Sequence, residues 1–279
     1  MIPNILHFVF GMAPYFEDKS FSLVHYLSVR SAVEINKPSV AYFHYQYEPQ
    51  GEWWQKAKPF LTLKKTDPPE NFMGRPLYHA AHKADVVRLQ TLYEYGGIYL
   101  DMDTICVKPL TELLSHRLVI GQELNLPYTP KNKRQKIKLA IRKKLGLANQ
   151  LLLPKPGLCN AVLLAEKDSK FIRLWMEEYK SFRSRGKDKY WNEHSGRVPL
   201  KLASHYPDLV TLINPYAFHY PLYNAAGMKS MFEEVTEFPE AYLHHLWESF
   251  SWDKYLSKLT TGEIRNHDTT YNIIARKFL

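Results

Sequence analysis

The chain opens on a run of apolar and β-prone positions, Ile2-Pro3-Asn4-Ile5-Leu6-His7-Phe8-Val9-Phe10, closed by Gly11 and Pro14. A run this short with turn formers behind it predicts a buried strand. Residues 20–36 then carry apolar positions at helical spacing, and Val40-Ala41-Tyr42-Phe43-His44-Tyr45 returns to strand character. Strand, helix and strand in that order predict a βαβ opening, and with it parallel pairing. After a stretch punctuated by Pro59, Pro68, Pro69 and Pro76, residues 78–95 place Ala84, Val87, Thr91 and Tyr95 on one helical stripe, which Gly96-Gly97 terminates. A strand over Ile98–Leu100 follows at once. Further strands are expected over Arg117–Gly121 and Leu158–Leu164, and helical spacing returns over 170–182. The pattern predicts an α/β fold: a Rossmann-like, mainly parallel sheet flanked by helices.

Size and composition fit that picture. A chain of 279 residues, 45% hydrophobic and 14% aromatic, can bury an ample core, and it is expected to form one domain over 1–279 with an insertion at 131–150. The excess of Tyr (19) over Phe (14) suits clefts in which rings meet planar or sugar ligands. Cys106 and Cys159 have no metal-binding or redox spacing, so a reduced intracellular setting is the simpler expectation. No run approaches the roughly 20 apolar residues of a bilayer span, and Met1-Ile2-Pro3-Asn4 lacks signal-peptide character. A cytoplasmic location is expected.

Charge changes the picture in one place. The chain carries a net +9, and residues 131–147 (KNKRQKIKLAIRKKLGL) hold eight Lys or Arg and no acid, so the remainder is nearly neutral. Within the tract, Ile137, Ile141 and Leu145 recur every four residues beside Ala140, giving a narrow apolar stripe on a cationic helix. Such a helix suits the inner face of an anionic membrane, where each cation contributes about 1 kcal/mol. A solvated insertion serving only solubility is the alternative. A nucleic-acid partner is not expected, because the tract has no interleaved aromatics.

The candidate chemistry lies at the strand after the second helix. Asp101 and Asp103 follow Gly96-Gly97-Ile98-Tyr99-Leu100 and are separated by Met102. Alternation puts both carboxylates on one side if the strand geometry persists, at the carboxyl end of a strand where open α/β sheets bind ligands. Two hard oxygen ligands suit Mg²⁺ or Mn²⁺, which takes its remaining ligands from water and substrate phosphates. Ten Asp in 279 residues produce about 0.3 Asp-x-Asp pairs by chance, so the context decides. Asp85 and Arg88, three apart on the preceding helix, share a face and form an acceptor and donor pair for hydroxyls or phosphate.

The passage Ala84-Asp85-Val86-Val87-Arg88-Leu89, followed by Leu92-Tyr93-Glu94-Tyr95-Gly96-Gly97-Ile98-Tyr99-Leu100-Asp101-Met102-Asp103, resembles the DxD region of glycosyltransferase family 32. That family includes initiating α-1,6-mannosyltransferases and capsular sugar transferases, and the passage is more distantly similar to clostridial glucosylating toxins. The opening Ile2-Pro3-Asn4-Ile5-Leu6-His7-Phe8 resembles the family's first strand, which borders the nucleotide base and so implicates His7, Phe8 and Val9. Gly157-Leu158-Cys159-Asn160-Ala161 is similar to its Asn-containing strand, making Asn160 a donor-sugar contact. Ser195-Gly196 stands where the family has Thr-Gly-Pro, with Arg197 replacing Pro. Leu243-His244-His245-Leu246-Trp247 resembles its terminal His-x-Trp element, followed by Trp252. The resemblance implies His245 as a third metal ligand and Trp247 as a wall of the donor site.

The resemblance thus implies a glycosyltransferase-A-type fold and a metal-dependent, retaining transfer from a nucleotide-sugar donor to a glycan or glycolipid in cell-surface polysaccharide synthesis. An imidazole ligand favours Mn²⁺ over Mg²⁺. Asp103 would hold the metal, Asp101 the ribose or a metal-bound water, and Asp85 with Arg88 the sugar hydroxyls. Two alternatives remain at this stage: an effector-type transferase glycosylating protein, and a metal-dependent phosphohydrolase, which also uses paired Asp. The donor sugar, the choice of UDP or GDP, the acceptor, its linkage and the oligomeric state are not legible in the residues. His219, in Tyr216-Ala217-Phe218-His219-Tyr220-Pro221, is a candidate for the acceptor side, with a packed loop histidine as the plainer reading.

Overall fold

The structure, a computed structural model, describes residues 1–14, 20–125, 133–145 and 155–279. Strands β1 (Ile5–Phe10), β2 (Val40–Tyr45) and β3 (Thr62–Lys65) pair in parallel, with α1 (Leu23–Asn36) between β1 and β2 and α2 (Glu52–Ala57) between β2 and β3. A two-stranded hairpin, β4 (Asn71–Phe72) and β5 (Arg75–Pro76), precedes α3 (Ala80–Tyr95), and β6 (Gly97–Leu100) then joins the free side of β1 in parallel. Chain direction and helix crossovers agree with the βαβ expectation.

The other half of the sheet is mixed. β8 (Leu118–Asn125) and β10 (Thr211–Ile213) are parallel to each other, while β9 (Lys155–Ala165) runs antiparallel between β8 and β6. The order is therefore β10-β8-β9-β6-β1-β2-β3. Outside it, β7 (Thr104–Cys106) pairs antiparallel with β11 (Leu243–His245), which brings the far end of the chain back to the exit of β6. β8 and β9 are both longer than the apolar runs that announced them, because their ends are polar and glycine-containing yet remain in the ladder.

Alternation sorts the core into two layers, one on each face of the sheet. Leu6, Phe8, Ile98, Leu100, Val162 and Leu164 pack with α1 and the carboxyl-terminal helices, while Val9, Tyr99, Leu163 and Ala165 pack with α3 and α5 (Lys170–Glu177). Helix α3 lies between the sheet and α5, so Asp85, Val86, Val87, Arg88 and Leu89 are all buried. Its buried face is wider than the predicted four-residue stripe for that reason.

Two local features aim residues at the carboxyl end of β6. Gly96 and Gly97 have φ of 67° and 111°, and a Cβ on Gly97 would stand 2.6 Å from the Ile5 carbonyl oxygen. Only glycine allows α3 to turn directly into β6 at that distance. In β9, Leu163 pairs with Ile120 and Cys159 with the next residue, Gly121, so Asn160, Ala161 and Val162 form an irregularity in the β8 ladder. Bulges of this kind re-aim side chains. Of the basic tract, Lys133–Lys144 forms α4, the helix expected there, whereas 131–132 and 146–147 fall outside the described residues.

Candidate active site

β1 and β6 are neighbours, but the chain proceeds from β1 away from β6, so the sheet reverses its winding between them. A crevice opens at such a point beyond the carboxyl ends of the strands. Here it is a cavity of about 340 Å³, lined by Val9 and Phe10 of β1 and Met12 just beyond it, by Tyr99 of β6 and Asp101 and Asp103 just beyond it, and from the terminal segment by His245 and Trp247.

The strand does not persist through the acidic pair: it ends at Leu100, and residues 101–103 form a turn held by the Asp101 amide on the Ala161 carbonyl. The two carboxylates converge through this turn rather than through strand alternation. Ligand atoms of Asp101, Asp103 and His245 all lie within 4.8 Å of one another. Asp103 Oδ2 accepts from the Glu248 amide at 2.7 Å and lies 3.2 Å from His245 Nε2. Burial works to raise the Asp103 carboxyl, but His245 and the Glu248 amide outweigh it and hold the group at about 2. Asp101 is pushed up instead, by burial and the nearby Asp103 charge, against the pull of Arg88. His245 is raised because Asp103 overcomes its desolvation. The pair thus differs in its readiness to carry charge.

Arg88 ties the helix to this turn. Its guanidinium reaches Asp85 and Asp101, each at 3.2 Å, donates to the Asn160 carbonyl at 2.5 Å, and lies 4.3 Å from the centre of the Tyr99 ring. Asn160 in turn donates through its amide to Asp85 Oδ1 at 2.7 Å, and the Tyr99 hydroxyl donates to Asp101 Oδ1 at 2.6 Å. Each buried charge therefore has a charged or amide partner, as burial requires.

The predicted residues separate into two groups. Asp101, Asp103, Arg88, Val9, His245 and Trp247 line one cavity. Asp85 is buried behind Arg88, where it sets the guanidinium, and is not among the residues lining that cavity. Asn160 lines an adjoining cavity with Glu123, Ser195 and Arg197, and meets the first site through Asp85 and Arg88. His7 and Phe8 are corrections: both are 0% exposed and turned into packing. Alternation sends Phe8 to the α1 side, and the His7 ring is taken up by Gly96 and His44. His219 lines neither of these two cavities; it is buried behind His245, with ring centres 5.8 Å apart.

Sequence reading missed Tyr99 and Glu248, though both sit inside motifs that had drawn notice. It also missed His25 of α1, which lines the cavity and lies 3.6 Å from Glu248. No spacing rule joins residues so far apart in the chain.

Comparison with known proteins bears on the chemistry. A family model described as a glycosyltransferase sugar-binding region containing the DXD motif matches residues 26–120. Glucan organizing enzyme 1 of Cryptococcus neoformans var. grubii is 35% identical over 285 residues, covering all of this chain and 71% of that protein. An uncharacterized glycosyltransferase, L373, of Acanthamoeba polyphaga mimivirus is 32% identical over 115 residues, 41% of this chain and 40% of the other. Among solved structures, galactosyltransferase LgtC in complex with donor and acceptor sugar analogues aligns with a TM-score of 0.47 and 15% identity, over 98% of this chain and 96% of that one.

Proposed function

As the chain belongs to the family of glycosyltransferases whose sugar-binding region contains the DXD motif, we propose that it moves a sugar from a UDP- or GDP-sugar, with a divalent cation, to a glycan or glycolipid of the cell surface. One observation carries this reading: two carboxylates and an imidazole from distant parts of the chain converge on the wall of one cavity, beside a buried arginine.

The donor set fits a divalent cation. Asp101 and Asp103 are hard oxygen ligands, and His245 adds a softer nitrogen that favours Mn²⁺ over Mg²⁺. Held by Asp101, Asp103 and His245, such a cation would supply the positive charge that a diphosphate leaving group calls for as the sugar–phosphate bond lengthens.

The protein's own groups would do the rest. Arg88, rigidly held by Asp85, Asp101 and Asn160, presents fixed donors to the sugar or phosphate oxygens. A guanidinium anchored on three sides does not reorganise as charge develops, which is where such donors contribute most. Trp247 is itself anchored by its indole N–H on the Pro221 carbonyl at 2.9 Å and forms a flat wall for the donor. Val9, Phe10 and Met12 offer the apolar side that a planar base requires. The transfer proposed is a retaining, same-face displacement in which the leaving phosphate assists the acceptor, as the family resemblance implies.

Location follows from α4 in this proposal. Ile137 and Ile141 of this helix, whose first turn has no acid, are 53% and 55% exposed, and Leu145 just after it is 64% exposed. An uncovered apolar stripe edged by cations supports attachment to the cytoplasmic face of an anionic membrane, near a lipid-linked acceptor.

Asp103→Asn tests the central claim. Donor hydrolysis and transfer with Mn²⁺ should fall by at least about a thousandfold, while circular dichroism and melting stay those of a folded protein. A screen of UDP- and GDP-sugars supplies the substrate. Undiminished turnover in the variant would overturn the reading.

A further inference from the structure

Behind the acidic pair lies a second group of ligands, of which only His245 takes part in the transfer reaction as proposed. Cys159 Sγ and one nitrogen each of His219 and His245 all lie within 4.8 Å of one another. They come from β9, from the loop after residue 218 and from β11, so only the folded chain assembles them.

Their hydrogen bonding is incomplete. Neither ring nitrogen of His219, a fully buried residue, has a partner among the described residues, and Nδ1 of His245 has none either. Each such nitrogen carries the full desolvation penalty of a buried polar group, so an unmet one calls for a water or an ion. The backbone also makes room for this arrangement. A Cβ on Gly121 would stand 2.6 Å from His219 Nε2, so that strand position accepts the ring only because it is glycine. Glu123, two residues on, stands close enough for its charge to act on both Cys159 and His245.

We propose that Cys159, His219 and His245 form a site for a soft divalent cation of the zinc type, distinct from the hard site at Asp101 and Asp103 and sharing His245 with it. Thiolate and imidazole are the ligand classes that zinc prefers over the oxygen-seeking ions. Tetrahedral zinc, with sulfur at about 2.3 Å and nitrogen at about 2.0 Å, sets its ligand atoms roughly 3.3 to 3.7 Å apart. The present separations, up to 4.8 Å, would shorten to that range when the cation binds. Glu123 or water completes the fourth position.

Sharing His245 makes the two sites antagonistic. Nε2 of this ring faces Asp103 at 3.2 Å, which leaves Nδ1 for the second cation. A neutral imidazole that gives Nδ1 to a metal keeps its proton on Nε2. The nitrogen facing Asp103 is then a hydrogen-bond donor and no longer a ligand. Occupancy of the soft site therefore weakens binding of the cation that supports transfer, and zinc acts as an inhibitor set against manganese.

Cobalt(II) reports the soft site without any reliance on turnover. Titrated into the full chain, it should produce thiolate-to-cobalt charge-transfer absorption that is lost in Cys159→Ser, reduced in His219→Gln and retained in Asp103→Asn. Absence of the band in the unmodified protein, its survival in Cys159→Ser, its indifference to His219→Gln or its loss in Asp103→Asn would each overturn the proposal. In assays, zinc should raise the Mn²⁺ concentration for half-maximal turnover at least about tenfold in the unmodified protein, and Cys159→Ser should raise the zinc concentration needed for that shift on the order of a hundredfold, at or beyond what loss of a supporting partner does. Equal zinc inhibition in the two proteins would also overturn it. If the chain shows no transferase activity, the cobalt spectrum still decides the soft site.

Discussion

His7 shows how a residue near the site serves it from outside. Its Nε2 lies 2.8 Å from the Gly96 carbonyl, and its Nδ1 lies 3.2 Å from His44 Nε2. The carbonyl can only accept, so His7 carries its proton on Nε2, and His44 must then donate to Nδ1. Both rings are neutral in this chain of hydrogen bonds. Burial lowers His7 to about 4 and His44 to about 3 from the usual 6.5, with Lys64 adding a smaller push in each case. Unfolded, both rings protonate below 6.5, so the unfolded state binds more protons between there and about 4. Their contribution is complete above pH 6.5 and is lost as pH falls toward 4; His7 alone accounts for on the order of 3 kcal/mol. His7→Phe should be less stable than the parent at pH 7 by about 1 to 3 kcal/mol, through the orphaned Gly96 carbonyl. It should also lose less on acidification, as urea denaturation at pH 7 and pH 5 measures. Equal acid losses in the two proteins would contradict this account.

At the scale of elements, the helix-to-strand turn is where substitution should cost most. Gly97 has φ of 111° and a backbone oxygen 2.6 Å from any added Cβ, whereas Gly51 has φ of 101° and nothing within 4 Å. The two share strain and differ in crowding. Gly97→Ala should therefore cost about 3 kcal/mol or more, and Gly51→Ala about 1 kcal/mol, in thermal melts. Similar losses at both positions would mean that the turn yields, and that the close approach of Gly97 to β1 is not what positions Arg88 against Asp101. The β9 irregularity is the other decisive element: the segment 159–162 sends Asn160 toward Asp85 and Arg88 and Cys159 toward His219 and His245.

For the molecule as a whole, most of the net positive charge comes from one tract, residues 131–147. No helix among the described residues is long and apolar enough to cross a membrane. α4 is instead cationic with an uncovered apolar stripe. The proposed attachment predicts flotation with liposomes containing anionic lipid, loss of flotation at high salt, and loss in a variant with Ile137, Ile141 and Leu145 changed to Ser. Because both apolar and charged contributions are needed, neutral liposomes should recover little protein. No recovery on anionic liposomes would leave the tract as a solvated insertion.

The sequence by itself determined the parallel opening, the helix that ends at Gly96 and the strand that follows it toward the acidic pair, because period and glycine placement are local properties of the chain. It also singled out His245 and Trp247, through resemblance rather than spacing. It misjudged His7 and Phe8, since membership of a strand does not say which neighbour claims each face, and it did not reveal that Asp85 and Asn160 also hold Arg88. Only the tertiary structure decided that Asp101 and Asp103 converge through a turn, that His25 and Glu248 join the cavity, and that Cys159 and His219 meet behind His245. These contacts link residues up to about four-fifths of the chain apart, and their distances depend on strand order and a local bulge, which no pattern along the sequence encodes.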